Sequence, residues 1–185
     1  LILLGASIGQ SQFARMAQYA TSIMMFMVGT IIARIIQKHW PLRLLPTVSR
    51  SGFIITYEII LLLIAGTFSS SWPNMLITGL LSMVAAAQLQ EFRQLNGGPF
   101  TSLMMTGNLR TLAESIYDGV AGHDKQAVTK GLTIGTIILS FVAGAGVTAL
   151  LTLTWHGHTI WLSAVILVIT LIVSHLERRT KKAVG

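Results

Sequence analysis

Between Gly131 and Leu176 the chain carries no Asp, Glu, Lys or Arg. About 20 apolar residues are enough to cross a bilayer core as a helix. This run therefore has room for two crossings, with Trp155, His156, Gly157 and His158 as a polar turn between them. A soluble domain has no use for so long an uncharged segment.

The rest of the chain agrees. Of its 185 residues 52% are hydrophobic and 10% charged, against about 25% charged in soluble domains, and the mean hydropathy is +0.70. The expected class is an all-α, polytopic membrane helix bundle. Five spans are legible, at 16–36, 52–68, 73–92, 131–153 and 159–176. Breaks fall where helix-stopping residues cluster, at Trp40, Pro41 and Pro46, at 69–73, and at 155–158. Tryptophans 40, 72, 155 and 161 lie near span ends, where an amphipathic ring sits at headgroup level.

Charge then orients the spans. Arg34, Lys38, Arg43 and Arg50 follow the first span; Arg93, Arg110, Lys125 and Lys130 follow the third; Arg178, Arg179, Lys181 and Lys182 follow the fifth. Only Arg15 falls on the opposite side. By the positive-inside rule the C-terminal tail is cytoplasmic, with 69–72 and 154–158 outside. The net charge of +7 is thus a topology signal rather than a nucleic-acid footprint, because it is dispersed between apolar runs. Cysteine is absent, which excludes disulfides and thiolate chemistry.

An internal repeat is visible. Residues 1–8 (LILLGASI) match 109–116 (LRTLAESI) at Leu, Leu, Ser and Ile, and 21–36 matches 136–151 with Gly29 opposite Gly144. An external start with no leader, taken with this repeat, leads us to expect a further helix upstream of Leu1. Six spans in two groups of three would make an inverted 3+3 repeat, the architecture of many secondary transporters. On this reading 1–69 is the remainder of the first repeat, 73–176 the second, and 177–185 a basic cytoplasmic tail, all within one transmembrane domain.

The segment GGPFTSLMMTGNLRTL, at 97–112, interrupts the apolar pattern. Together with the preceding AAAQLQEFRQLN it resembles the second half of the YoaK-like family of bacterial membrane proteins, a domain of unknown function. The resemblance covers nearly the whole chain. It implies a bacterial cytoplasmic membrane location and an earlier Thr-Gly-Asn after a first helix, and it brings no substrate or reaction. The chain departs from the family pattern at Gln88, where glycine is common, and at Glu91, where asparagine is.

The residues themselves offer a site. Gly97, Gly98 and Pro99 are expected to end the third span, 99–106 to re-enter or lie against the bundle, and Asn108 to open a new helix. Solute-binding or pore-lining candidates are Thr106, Gly107, Asn108, Gln88, Gln90 and Glu58. The alternative for Thr106, Gly107 and Asn108 is a helix cap and tight turn. For Glu58, the one acid well inside an apolar segment, the alternative is a structural pair with Arg34 or an interfacial position. Gln88, Gln90 and Glu91 share one span end and read as exposed polar residues or a vestibule.

Gly29, Gly131, Gly135, Ser140 and Gly144 read as helix-packing positions, and the methionines as apolar filling. His156 and His158 are too few for a metal site. GASIG at 5–9 matches a nucleophile elbow but lacks its strand and base. No nucleophile, base or metal set emerges, so an enzyme is not expected, nor a cofactor. The expectation is a transporter or channel for a small solute or ion, the alternative a noncatalytic assembly module. The partners to expect are the lipid bilayer, a small solute or ion, and a second copy of the chain.

Overall fold

The computed structural model describes residues 1–39, 49–95, 98–101, 103 and 105–184. Trp40, Pro41, Arg43, Pro46, Gly97 and Met104 lie outside the described residues. The described elements are helices α1 (Ile2–Gly9), α2 (Phe13–Lys38), α3 (Arg50–Phe68) and α4 (Asn74–Glu91), a two-residue pair β1 (Gln94–Leu95) and β2 (Gly98–Pro99), then α5 (Met105–Ala121), α6 (Lys125–Trp155), a 3-10 turn His156–Thr159, and α7 (Ile160–Val184). The fold class is all-α, as expected.

Each expected span coincides with one of α2, α3, α4, α6 and α7. By length and composition Phe13–Lys38, Arg50–Phe68 and the run Lys125–Glu177, which holds α6 and α7, are apolar enough to cross a membrane. Helix α4 does not reach that hydropathy and, like the others, has several small and polar residues that pack against neighbours.

Unlike in a soluble protein, large apolar side chains are widely exposed and several polar ones are buried. Leu139, Val142, Leu150 and Leu153 are 61–74% exposed, while Glu58, Gln90 and Asn108 are buried at 0%, 5% and 4%. Large apolar surface facing outward around a partly polar interior is what lipid as solvent selects. This is a membrane protein. Hydroxyls within the apolar helices bond to carbonyls of the preceding turn, as Thr30 does to Phe26, Thr56 to Gly52 and Thr136 to Leu132, so they need no outside partner.

Contacts divide the chain into two compact units, 1–91 with 157–185, and 92–156. In the first, α2 and α4 form the largest interface. Thr21, Met25, Gly29, Ala33 and Gln37 recur every fourth residue and lie on one face of α2. A side chain at Gly29 would meet the Met83 backbone at 2.8 Å and Ala86 Cβ at 3.0 Å. Reciprocally, Gly79 of α4 receives Met25, whose Cγ stands 3.2 Å from where a Cβ would be. Ala33, Ile54 and Ala87 join α2, α3 and α4 in a small core. Without a hydrophobic drive between helices in lipid, close approach at small residues supplies the attraction.

Helix α3 starts at Ser49, whose hydroxyl caps the Gly52 amide at 3.0 Å. Its other face meets α7, with Gly66 under the Trp161 ring and Gly52 near Leu171. Gly157 lies against Ser69 within this unit. Trp72 stacks on Phe68 with centroids 4.6 Å apart at that same end.

In the second unit α5 packs on α6. Asp124 caps α6 by accepting from the Gln126 amide at 2.8 Å. Gly131 sits against Ser115, with 3.3 Å available to an added Cβ, and Gly135 is in ordinary contact with Leu112. Gly144 has nothing within 4 Å and Ser140 is exposed. Of the expected packing positions on α6, Gly131 and Gly135 thus meet α5, while Gly144 meets nothing within 4 Å among the described residues. Leu109, Ile116, Tyr117 and Val120 line an exposed stripe on α5, 56–74% accessible, the pattern of a helix lying in a membrane interface.

Candidate functional site

The close α2–α4 approach carries Gln37, one turn beyond Ala33, to the end of α4. There Gln37 Nε2 donates to the Gln90 carbonyl at 3.0 Å and to Glu91 Oε2 at 2.9 Å. Gln90 Nε2 returns a bond to Gln37 Oε1 at 2.9 Å. The first turn of α3 closes the cluster from the other side. Ser51 Oγ donates to Glu91 Oε1 at 2.8 Å and Arg50 Nε pairs with the same oxygen at 3.2 Å. The Glu91 side chain is 2% exposed and that of Arg50 47%, so the cluster runs from an open guanidinium to a closed carboxylate.

Deeper along the same helices lies Glu58, fully buried. Eight residues from the start of α3, it stands about 12 Å inside the helix end. Gln88 of α4 faces it. With the amide turned to present nitrogen, Gln88 donates to Glu58 Oε1 at 3.1 Å. Among the described residues Glu58 makes no ion pair. Arg34, considered for that role in the sequence, instead donates to Gln37 Oε1 at 3.5 Å. Among the described residues Glu58 is therefore not paired with Arg34. Next to it in sequence, the Tyr57 hydroxyl is buried without a partner among the described residues.

The matching family model is described as "Protein of unknown function (DUF1275)" and covers residues 1–173. The chain belongs to the DUF1275 family. No curated protein and no solved structure matched it. The matched span of this DUF1275 chain contains every residue of the polar cluster.

The other candidates of the DUF1275 chain belong to the second unit. The helix containing Gln88 and Gln90 ends at Glu91, well before the glycines expected to stop it. The chain then forms a tight hairpin in which Gln94 pairs with Pro99 and Leu95 with Gly98, and the Phe100 amide donates to the Arg93 carbonyl at 2.8 Å. The described backbone of this segment pairs with itself at these positions. Thr106, Gly107 and Asn108 lie inside the first turn of α5 rather than before it. Thr106 and Gly107 are exposed, and Asn108 is buried. Asn108 Nδ2 reaches back to the Thr101 carbonyl at 2.8 Å and touches Met105 Sδ at 3.5 Å. It clasps the incoming loop to the helix.

Removing this clasp should have a modest and purely structural effect. Asn108→Ala should lower thermal stability by about 1 kcal/mol, the worth of one buried hydrogen bond, and leave any solute flux at its original rate. Calorimetry and vesicle flux on the same preparation check both.

Sequence reasoning missed Gln37, Ser51 and Tyr57, and counted Arg50 only as a topology charge. Gln37 could have been found from its place on the Gly29 face of α2. For Ser51 and Tyr57 the sequence gives no comparable signal.

Proposed function

We propose that this DUF1275 protein is a small nonenzymatic transporter or channel, of the YoaK-like kind, for a small solute or ion in the bacterial cytoplasmic membrane. One observation carries the reading. A fully buried carboxylate stands inside a span without a countercharge among the described residues, and polar side chains lead from it toward the helix ends. Ionisable groups at such depth are costly and recur on ion and solute pathways.

An inverted repeat is part of this proposal. Helix α1 packs on α2 and α5 on α6, a short helix followed by a long one in each unit. The serines matched by the repeat, Ser7 and Ser115, are both buried, at 5% and 4%. An experimental structure relating α2 to α6 by a rotation axis in the membrane plane would support it; an axis along the membrane normal would end it.

Transport is tested with purified protein in liposomes, using light scattering after osmotic steps in alkali salts, small neutral solutes and weak acids. At least one should pass faster than through liposomes containing Glu58→Gln. Equal rates across the whole panel would overturn the proposal.

The orientation is tested separately, with single cysteines in a chain that has none. Ser71→Cys should react with an impermeant maleimide in intact cells and Thr180→Cys only after permeabilisation. The reverse labelling would turn the topology over.

A second reading, a noncatalytic assembly module, draws on the open small-residue face of α6 at Ser140 and Gly144. Disulfide formation between Gly144→Cys copies in native membranes would favour it; its absence together with solute flux would favour transport.

A further inference from the structure

Gln88 and Glu58 form a pair with an unusual property: one member can only accept while ionised, and the other can either donate or accept. A carboxylate presents two acceptor oxygens, a carboxylic acid adds one O–H donor, and a glutamine amide carries a carbonyl and an NH2 group of nearly equal size. With Nε2 toward Glu58 the amide donates to the carboxylate. With Oε1 toward it, the same contact suits a carboxyl O–H. A half-turn of the terminal amide converts one arrangement into the other without moving either helix.

We propose that the Glu58–Gln88 pair is a proton-binding site in which the Gln88 amide turns over as the proton arrives and leaves. On binding, a Glu58 carboxylate oxygen takes a proton from hydronium, which is left as water, and its new O–H donates to Gln88 Oε1. On release the proton returns to water and Gln88 Nε2 donates to the carboxylate again. The purpose of the site rests on the transport reading; its chemistry does not.

The surroundings fit. Arg50 is committed to Glu91 and Arg34 to Gln37, so neither cation competes for Glu58. Among the described residues the charged or titratable groups bearing on Glu58 are Glu91 of α4 and Tyr57 of its own helix. Helix α7, packed on the other face of α3, carries no titratable side chain from Ile160 to Ser174. The Tyr57 hydroxyl, next to Glu58 in sequence, is buried and without a partner among the described residues. A proton needs no coordination shell, whereas a hard divalent cation would ask for about six oxygens. Gln90, Gln37, Glu91 and Ser51 continue the polar series to the half-exposed Arg50.

The test is infrared difference spectroscopy of the full chain in lipid, recorded as pH is stepped. The wild type should show a protonated-carboxyl C=O band that grows as pH falls, accompanied by a change in a glutamine amide band. Glu58→Gln should lose that carboxyl band completely. Gln88→Leu keeps the acid, so its band should persist at a shifted frequency while the amide signal vanishes. A band surviving unchanged in Glu58→Gln overturns the site, and an unshifted band in Gln88→Leu overturns the amide turn. Failure of the liposome flux panel with these bands intact would remove the transport reading and leave the proton site standing. Flux that is equal in wild type and Glu58→Gln, with no titrating Glu58 band, would remove the site.

Discussion

Gly29→Leu should prevent the first unit from folding, giving aggregated protein or a severely lowered unfolding temperature in detergent. A Cβ at this position meets Met83 Cα and the Met83 carbonyl oxygen at 2.8 Å and Ala86 Cβ at 3.0 Å. Two of those contacts are backbone, so no rotamer change can relieve them, and α2 and α4 must separate. Overpacking costs about 1–3 kcal/mol when side chains can yield and more when they cannot. Stability totals only about 5–15 kcal/mol. Separation would also pull Gln37 away from Gln90 and Glu91, leaving buried polar groups unpaired at about 1–3 kcal/mol each. Gly144→Leu is the control, because nothing lies within 4 Å of that position. It should unfold within a degree or two of the wild type. Equal damage from both substitutions would show that the helix approach is not what holds the unit together.

The second large effect is expected from Glu58→Leu combined with Gln88→Leu. Flux through liposomes should fall to the background of empty vesicles while thermal stability stays level or rises. Removing Glu58 alone leaves the Gln88 amide without its partner, but replacing both with apolar groups of similar size is often neutral or stabilising. A group that costs stability and is nonetheless present is placed for function. Scanning calorimetry and the flux assay on the same variant separate the outcomes. A strongly destabilised double variant would make the pair a structural fastener, and retained flux would take it off the pathway.

Several parts of this structure were legible in the residue order. The uncharged run from Gly131 to Leu176 announced two helices, and they are α6 and α7, divided at His156. The segments 16–36, 52–68 and 73–92 fall within one or two residues of α2, α3 and α4 or well inside them. Glu58 stood out as the one acid deep in an apolar segment. The break near Gly97 was also visible, but the antiparallel pairing of Gln94 with Pro99 and Leu95 with Gly98 was not, and Asn108 lies inside α5 and donates to Thr101.

What the sequence determined by itself is therefore the membrane class, the helices and the depth of Glu58. These are local quantities. Transfer into a bilayer is summed over one segment at a time, and a helix satisfies its backbone hydrogen bonds internally whatever lies beside it. Only the tertiary structure decided which faces meet. Gly29 and Gly144 stand opposite each other in the sequence match, yet one is pressed against Met83 and the other has nothing within 4 Å among the described residues. Helix α7 packs on α3, and Gln37 and Gln88 reach Glu91 and Glu58 from separate helices. Such pairings depend on the rotation and register of whole helices. In lipid these are fixed by close contact at small residues, because apolar side chains gain almost nothing by choosing a neighbouring helix over a lipid tail.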